Sequence, residues 1–126
     1  MTDLTAAWTA LEAAARKDAQ TRIVDHFAAE PDRLGAMVVE ACGLRLDLSK
    51  QPWSQAGLAA ALDLARAAGV EAARDRLFAG EAVNVTEGRA ALHMALRAPD
   101  RSDFKALGKP VSGEVEAVRG RMKAFA

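Results

Sequence analysis

The sequence predicts a mainly α fold with about six to seven helices and two short β segments, near residues 44–48 and 104–111. Three observations carry that prediction. Hydrophobic residues make up 51% of the 126 residues and aromatic residues only 5%, so the apolar content is largely alanine and leucine, residues that give up little side-chain entropy in a helix. Apolar residues recur at spacings of three and four over most of the chain, the period of a helix with one buried face. The period shortens to two at Leu44-Arg45-Leu46-Asp47-Leu48, which reads as a strand.

In order along the chain, Leu4, Trp8, Leu11 and Ala15 mark a first helix, with Thr2 or Asp3 near its start. Thr21 is a candidate cap for a short second helix with Ile23, Val24 and Phe27 on its apolar face, and Pro31 ends or redirects it. Leu34, Met37, Val38 and Ala41 predict a third helix from about Asp32 to Gly43. The 44–48 strand then needs a partner, and the 104–111 stretch, with a hairpin turn at Gly108-Lys109, is the best candidate in the chain. Ser54 caps a helix that carries Leu58, Ala61, Leu62 and Ala65 and ends at Gly69. Another runs from Val70 through Leu77 and Phe78 to Gly80. The last begins at Ser112 and aligns Val115, Val118, Met122 and Phe125.

Between those helices lies the most informative stretch, residues 83–97. Thr86 reads as an N-cap, Glu87 as a first-turn acid that suits the helix dipole, and Arg97 as a last-turn base, with Pro99 closing the element. Gly88, Leu92, Ala95 and Leu96 then share one face, while Arg89, His93 and Arg97 stack four apart on another. The two faces differ enough to imply two different neighbours.

The charge balance is 17 basic against 17 acidic residues, which gives no electrostatic ground for binding nucleic acid or an anionic membrane. One cysteine, Cys42, and two distant histidines, His26 and His93, offer neither an internal disulfide nor metal-ligand spacing. No apolar run reaches the roughly 20 residues of a membrane span and no signal-peptide pattern opens the chain, so a cytoplasmic protein is expected. Cys42 is read as a buried, inert thiol, His26 as a surface or cap residue, and Ser49-Lys50 as a turn.

The motif Asn84-x-Thr86-Glu87-Gly88-Arg89-Ala90-x-Leu92-His93-x-Ala95-Leu96-Arg97 strongly resembles the segment near the N-terminus of the glucose-6-phosphate isomerase (phosphoglucose isomerase) family. Leu44-Arg45-Leu46-Asp47-Leu48-Ser49-Lys50, Phe78-Ala79-Gly80-Glu81 and Phe104-Lys105-Ala106-Leu107-Gly108-Lys109-Pro110-Val111 agree with that family in the same order. The resemblance implies an aldose–ketose isomerase of glycolysis and gluconeogenesis that interconverts glucose 6-phosphate and fructose 6-phosphate through an enediol. It implies no metal or nucleotide cofactor, no nucleic acid or membrane partner, and a homodimer of the full-length protein. Family members are several times longer, so residues 1–126 are expected to be the N-terminal helical region of a larger α/β sugar-isomerase protein. Their glutamate base, histidine, lysine and phosphate-binding serines and threonines come later, and no position here matches those motifs.

No catalytic, substrate-binding, cofactor or metal residue is therefore assigned. Asn84, Thr86, Glu87, Arg89, His93 and Arg97 are assigned a structural role. Glu87 and His93, six apart on a helix, cannot form a dyad alone. Arg89 is expected in a buried salt bridge rather than on a phosphate, and His93 as a satisfied structural histidine rather than one facing a ligand or a subunit. An anion at the Thr86-Glu87-Gly88 helix start is set against ordinary capping, which is preferred. The chain alone is expected to be inactive; the alternative is a free-standing helical interaction module without enzymatic activity.

Overall fold

A computed structural model describes residues 4–98 and 103–126. The expected cap at Thr2 or Asp3 and the expected helix stop at Pro99 lie outside the described residues. Among those described are seven helices and two antiparallel strand pairs, and the chain divides into two units, Met1–Gly69 and Val70–Ala126.

In the first unit, α1 (Leu4–Asp18) packs on α4 (Gln55–Ala67). Ser54 caps α4 as its sequence predicts, its Oγ accepting from the Gly57 amide at 3.0 Å. A second acceptor reinforces the same helix start. The buried Asp18 carboxylate, at the end of α1, accepts from the Ser54 amide at 2.8 Å and from the Ser54 hydroxyl at 3.1 Å. Negative charge there complements the positive end of the α4 dipole. The contact also explains a glycine inside a helix, where alanine has the better propensity, since a Cβ on Gly57 would run into the Asp18 carboxylate.

Between those helices lie α2 (Ile23–Ala29), which stops before Pro31, and α3 (Arg33–Ala36). The helix expected from Asp32 to Gly43 is cut short. Val38–Ala41 is instead strand β1, paired with β2 (Leu44–Asp47) in the register Val38↔Asp47, Val39↔Leu46, Glu40↔Arg45 and Ala41↔Leu44. The cause is the loop between them: Cys42 (φ 53) and Gly43 (φ 75) are both left-handed, the conformation of a two-residue turn whose twist matches that of the flanking strands. The predicted 44–48 strand therefore exists, but its partner is local and not residues 104–111. Cys42 sits exposed at the hairpin tip, not buried as expected, because a two-residue turn projects away from packed elements.

In the second unit, α5 (Val70–Phe78) follows the left-handed Gly69 and precedes the left-handed Gly80. The short helix α6 (His93–Arg97) packs on α7 (Ser112–Phe125). Strands β3 (Lys105–Ala106) and β4 (Lys109–Pro110) make a second hairpin whose turn is Leu107-Gly108, one residue earlier than predicted; both turn residues have positive φ. That hairpin is tied to the end of α5. The Leu107 amide donates to the Gly80 carbonyl at 2.8 Å, and a Cβ on Gly80 would collide with the Lys105 carbonyl. On α7, Val115 and Val118 are partly covered, while Met122 and Phe125, on the same predicted face, stand exposed.

Among the described residues, the buried apolar side chains are few: Ala7, Met37 and Ala95.

Candidate functional site

Residues 84–97 do not form one helix. Asn84 and Arg89 close a loop on each other, the Asn84 amide donating to the Arg89 carbonyl at 3.0 Å and the Arg89 amide to the Asn84 carbonyl at 3.2 Å. The Asn84 side chain fills the loop from inside: its Oδ1 accepts from the Glu87 amide at 3.3 Å, and its Nδ2 donates to Glu87 Oε2 at 3.4 Å. Gly88 turns the chain with φ at 63°, a conformation that a side chain disfavours. The helix begins only at His93, with Leu92 at the N-cap position. Thr86 is a loop residue and caps no helix, since Asn84 supplies the acceptor expected of it.

The predicted stack of Arg89, His93 and Arg97 is therefore not formed, because Arg89 lies before the helix that carries the other two. All three are exposed. Arg89 is not in a buried salt bridge; it approaches Glu87 at 3.9 Å with both side chains largely in solvent, a pairing of little energetic weight. The helix turns Ala95 inward and leaves Leu96 exposed.

The buried polar chemistry lies elsewhere, in the first unit. Arg33 is 0% exposed. It donates from Nε to the Ser49 carbonyl at 2.7 Å, from Nη2 to the Gln51 carbonyl at 2.8 Å, and from Nη1 to Glu30 Oε2 at 2.6 Å. The Phe27 ring lies 5.5 Å from its guanidinium carbon. Glu30 in turn accepts from the Gln55 amide at 2.8 Å. Burial pushes the Glu30 carboxyl up, but the Gln55 amide and the Arg33 guanidinium outweigh it and hold the group below its usual value. One arginine thus joins α2, the loop after β2 and the start of α4. Ser49-Lys50 lies in a turn, as expected, with the Gln51 amide donating to the Leu48 carbonyl. His26 is buried, not at the surface, and its Nε2 has no partner among the described residues; α2 turns it inward while Val24 faces solvent.

The sequence reading passed over Asp18 and Arg33. Apart from Glu30, three residues from Arg33, their partners are 16 to 36 residues away. The available signals were the acid–base spacing of Glu30 and Arg33 and Gly57, a glycine placed against propensity three residues into a capped helix.

Among the described residues, no three His, Cys, Asp or Glu side chains come close enough to hold a metal ion. What the described residues do show is polar side chains, Asp18 and Arg33, tying backbone segments together.

The chain is similar in sequence to glucose-6-phosphate isomerases of three bacteria. The chain is 64% identical over all 126 residues to the glucose-6-phosphate isomerase of Caulobacter vibrioides (strain NA1000 / CB15N), of which it spans 23%. It is 47% identical over 126 residues to that of Deinococcus radiodurans, again 23% of the relative, and 43% identical over 122 residues to that of Anaeromyxobacter dehalogenans, spanning 22%. The family model for phosphoglucose isomerase matches residues 47–126. The chain belongs to the phosphoglucose isomerase family. It spans less than a quarter of the length of these relatives and corresponds to their N-terminal part. Among the described residues no helix is long and apolar enough to cross a membrane.

Proposed function

We propose that residues 1–126 are the N-terminal helical scaffold of a glucose-6-phosphate isomerase, which interconverts glucose 6-phosphate and fructose 6-phosphate. The observation that carries this reading is the 64% identity to a named isomerase, sustained over the whole chain. The full-length protein works as a cytoplasmic homodimer without nucleic acid or membrane partners. An enediol route needs a carboxylate base beside C1 and C2, an acid that opens the ring, and amides or hydroxyls that hold the phosphate. Those groups belong to the sugar-isomerase domains, outside this chain, and Asn84, Thr86, Glu87, Arg89, His93 and Arg97 shape the surface around the 84–97 loop and helix without reacting. The chain alone is inactive.

Support comes from the loop carboxylate of Glu87 and from His93, both of which are exposed. The test is an isomerase assay on the full-length protein with Glu87→Gln and His93→Asn. Turnover within about fivefold of the parent in both variants is expected; loss of 10³-fold or more in either, the range of a removed acid–base group, would overturn the assignment.

A further inference from the structure

We propose that the apolar face of the β1–β2 hairpin is the seat for an apolar element of the same polypeptide downstream of residue 126. The inference rests on the reading of the chain as the first part of a longer isomerase. In an antiparallel pair, directly opposed residues share a face and the faces alternate along each strand. The register therefore sorts the hairpin into two unlike sides. Val39, Leu46, Ala41 and Leu44 lie on one; Val38, Asp47, Glu40 and Arg45 lie on the other. The second side is finished, since Arg45 and Glu40 pair across it at 3.0 Å. The first is bare: Val39 is 54% exposed, Leu46 55% and Leu44 75%.

A two-stranded ribbon is marginal in water without something packed on its apolar face. What covers this one is decided by size and charge. Four small aliphatic side chains present a few hundred Å², well short of the roughly 800 Å² per partner of a standard intermolecular interface. A contact of that size holds far better within one polypeptide, where no translational freedom is lost on docking. The supply is at hand, because the relatives extend about four times the length of this chain. The face itself carries no charge, and the charged pair nearest to it is already satisfied, so the occupant is an apolar helix or sheet face and not an acidic or basic one.

The experiment uses the full-length enzyme. Hydroxyl-radical footprinting compares oxidation of Leu44 and Leu46 in the native protein with the same residues in urea. Protection of fivefold or more is expected; less than that overturns the inference. A photo-crosslinker on Cys42, at the tip of the hairpin, then identifies the occupant. A product of monomer size joining Cys42 to residues beyond 126 is expected, and a product of dimer size would mean that a second copy covers the face, which also overturns it. Turnover of fructose 6-phosphate by the same preparation tests the underlying reading separately. Activity without protection rejects the docking alone, and protection without activity rejects the isomerase reading alone.

Discussion

Replacing Arg33 tests how the first unit is held together. In Arg33→Ala, the Ser49 and Gln51 carbonyls lose their guanidinium donors and Glu30 loses its ion-pair partner. Glu30 keeps the Gln55 amide, and its side chain is 17% exposed, so part of its charge is still solvated. Breaking one side of a buried pair destabilises by about 3–5 kcal/mol, and each stranded carbonyl alone corresponds to about 1–3 kcal/mol. These effects overlap, so about 3–5 kcal/mol is expected in all, up to half or more of a typical domain's stability. Arg33→Lys retains a charge beside Glu30 but not the planar fork, and strands at least one carbonyl, for a loss of about 1–3 kcal/mol. Urea unfolding followed by the fluorescence of Trp8 and Trp53 measures both, read as a shift in midpoint at constant slope. Should Arg33→Ala not fold at all, the lysine variant still reports. Losses below about 1 kcal/mol in both would refute the claim that this arginine joins α2, the 48–51 turn and α4.

Two glycines separate close approach from backbone strain. Gly57→Ala gains helix propensity but drives a Cβ into the Asp18 carboxylate, so thermal melting should show a net loss of about 1–3 kcal/mol; Gly57→Ala combined with Asp18→Asn should not add a full second penalty. Gly80→Ala meets both a positive φ and the Lys105 carbonyl, whereas Gly69→Ala, at nearly the same φ, meets open space. The first should therefore destabilise by about 2–4 kcal/mol and the second by about 1, with a reversal refuting the packing of β3 on Gly80. Acid should weaken the first unit through Glu30. Its folded pKa lies below the ordinary 4.5, so the unfolded state takes up protons first. The stabilisation is present above that value and is lost as pH falls through the folded one. Glu30→Gln should flatten the stability curve on the acid side and leave its slope near neutrality unchanged.

Much of the fold could be read from local signals, and the failures share a physical cause. The starts and stops of α4 and α5 were legible because Ser54, Gly69 and Gly80 act on the backbone within a turn of themselves. The 44–48 strand was legible by its period. Its partner was not, because Val38-Val39-Glu40-Ala41 suits either a helical or a strand period over so few residues, and the deciding feature is two left-handed residues, one of them the non-glycine Cys42. Residues 83–97 misled for a similar reason. Thr86, Glu87 and Arg97 satisfy every helix signal, but Asn84 supplies a competing local acceptor and Gly88 turns the chain, so the helix waits until His93. Family membership was legible in that same stretch even though its conformation was not, since residue order survives where local propensity misleads. Arg33 and Asp18 stayed hidden because Ser49, Gln51 and Ser54 are brought to them only by the completed fold.

The central claim is that this chain supports the reacting groups of an isomerase without containing them. The direct measurement is a coupled assay of the purified 126-residue protein for fructose 6-phosphate formed from glucose 6-phosphate, run beside the full-length enzyme at equal molarity. Turnover in the full-length enzyme and none above the uncatalysed background in the 126-residue protein is the predicted outcome. Enzyme-dependent turnover by the short chain, rising with its concentration and abolished by Glu87→Gln or His93→Asn, would contradict it.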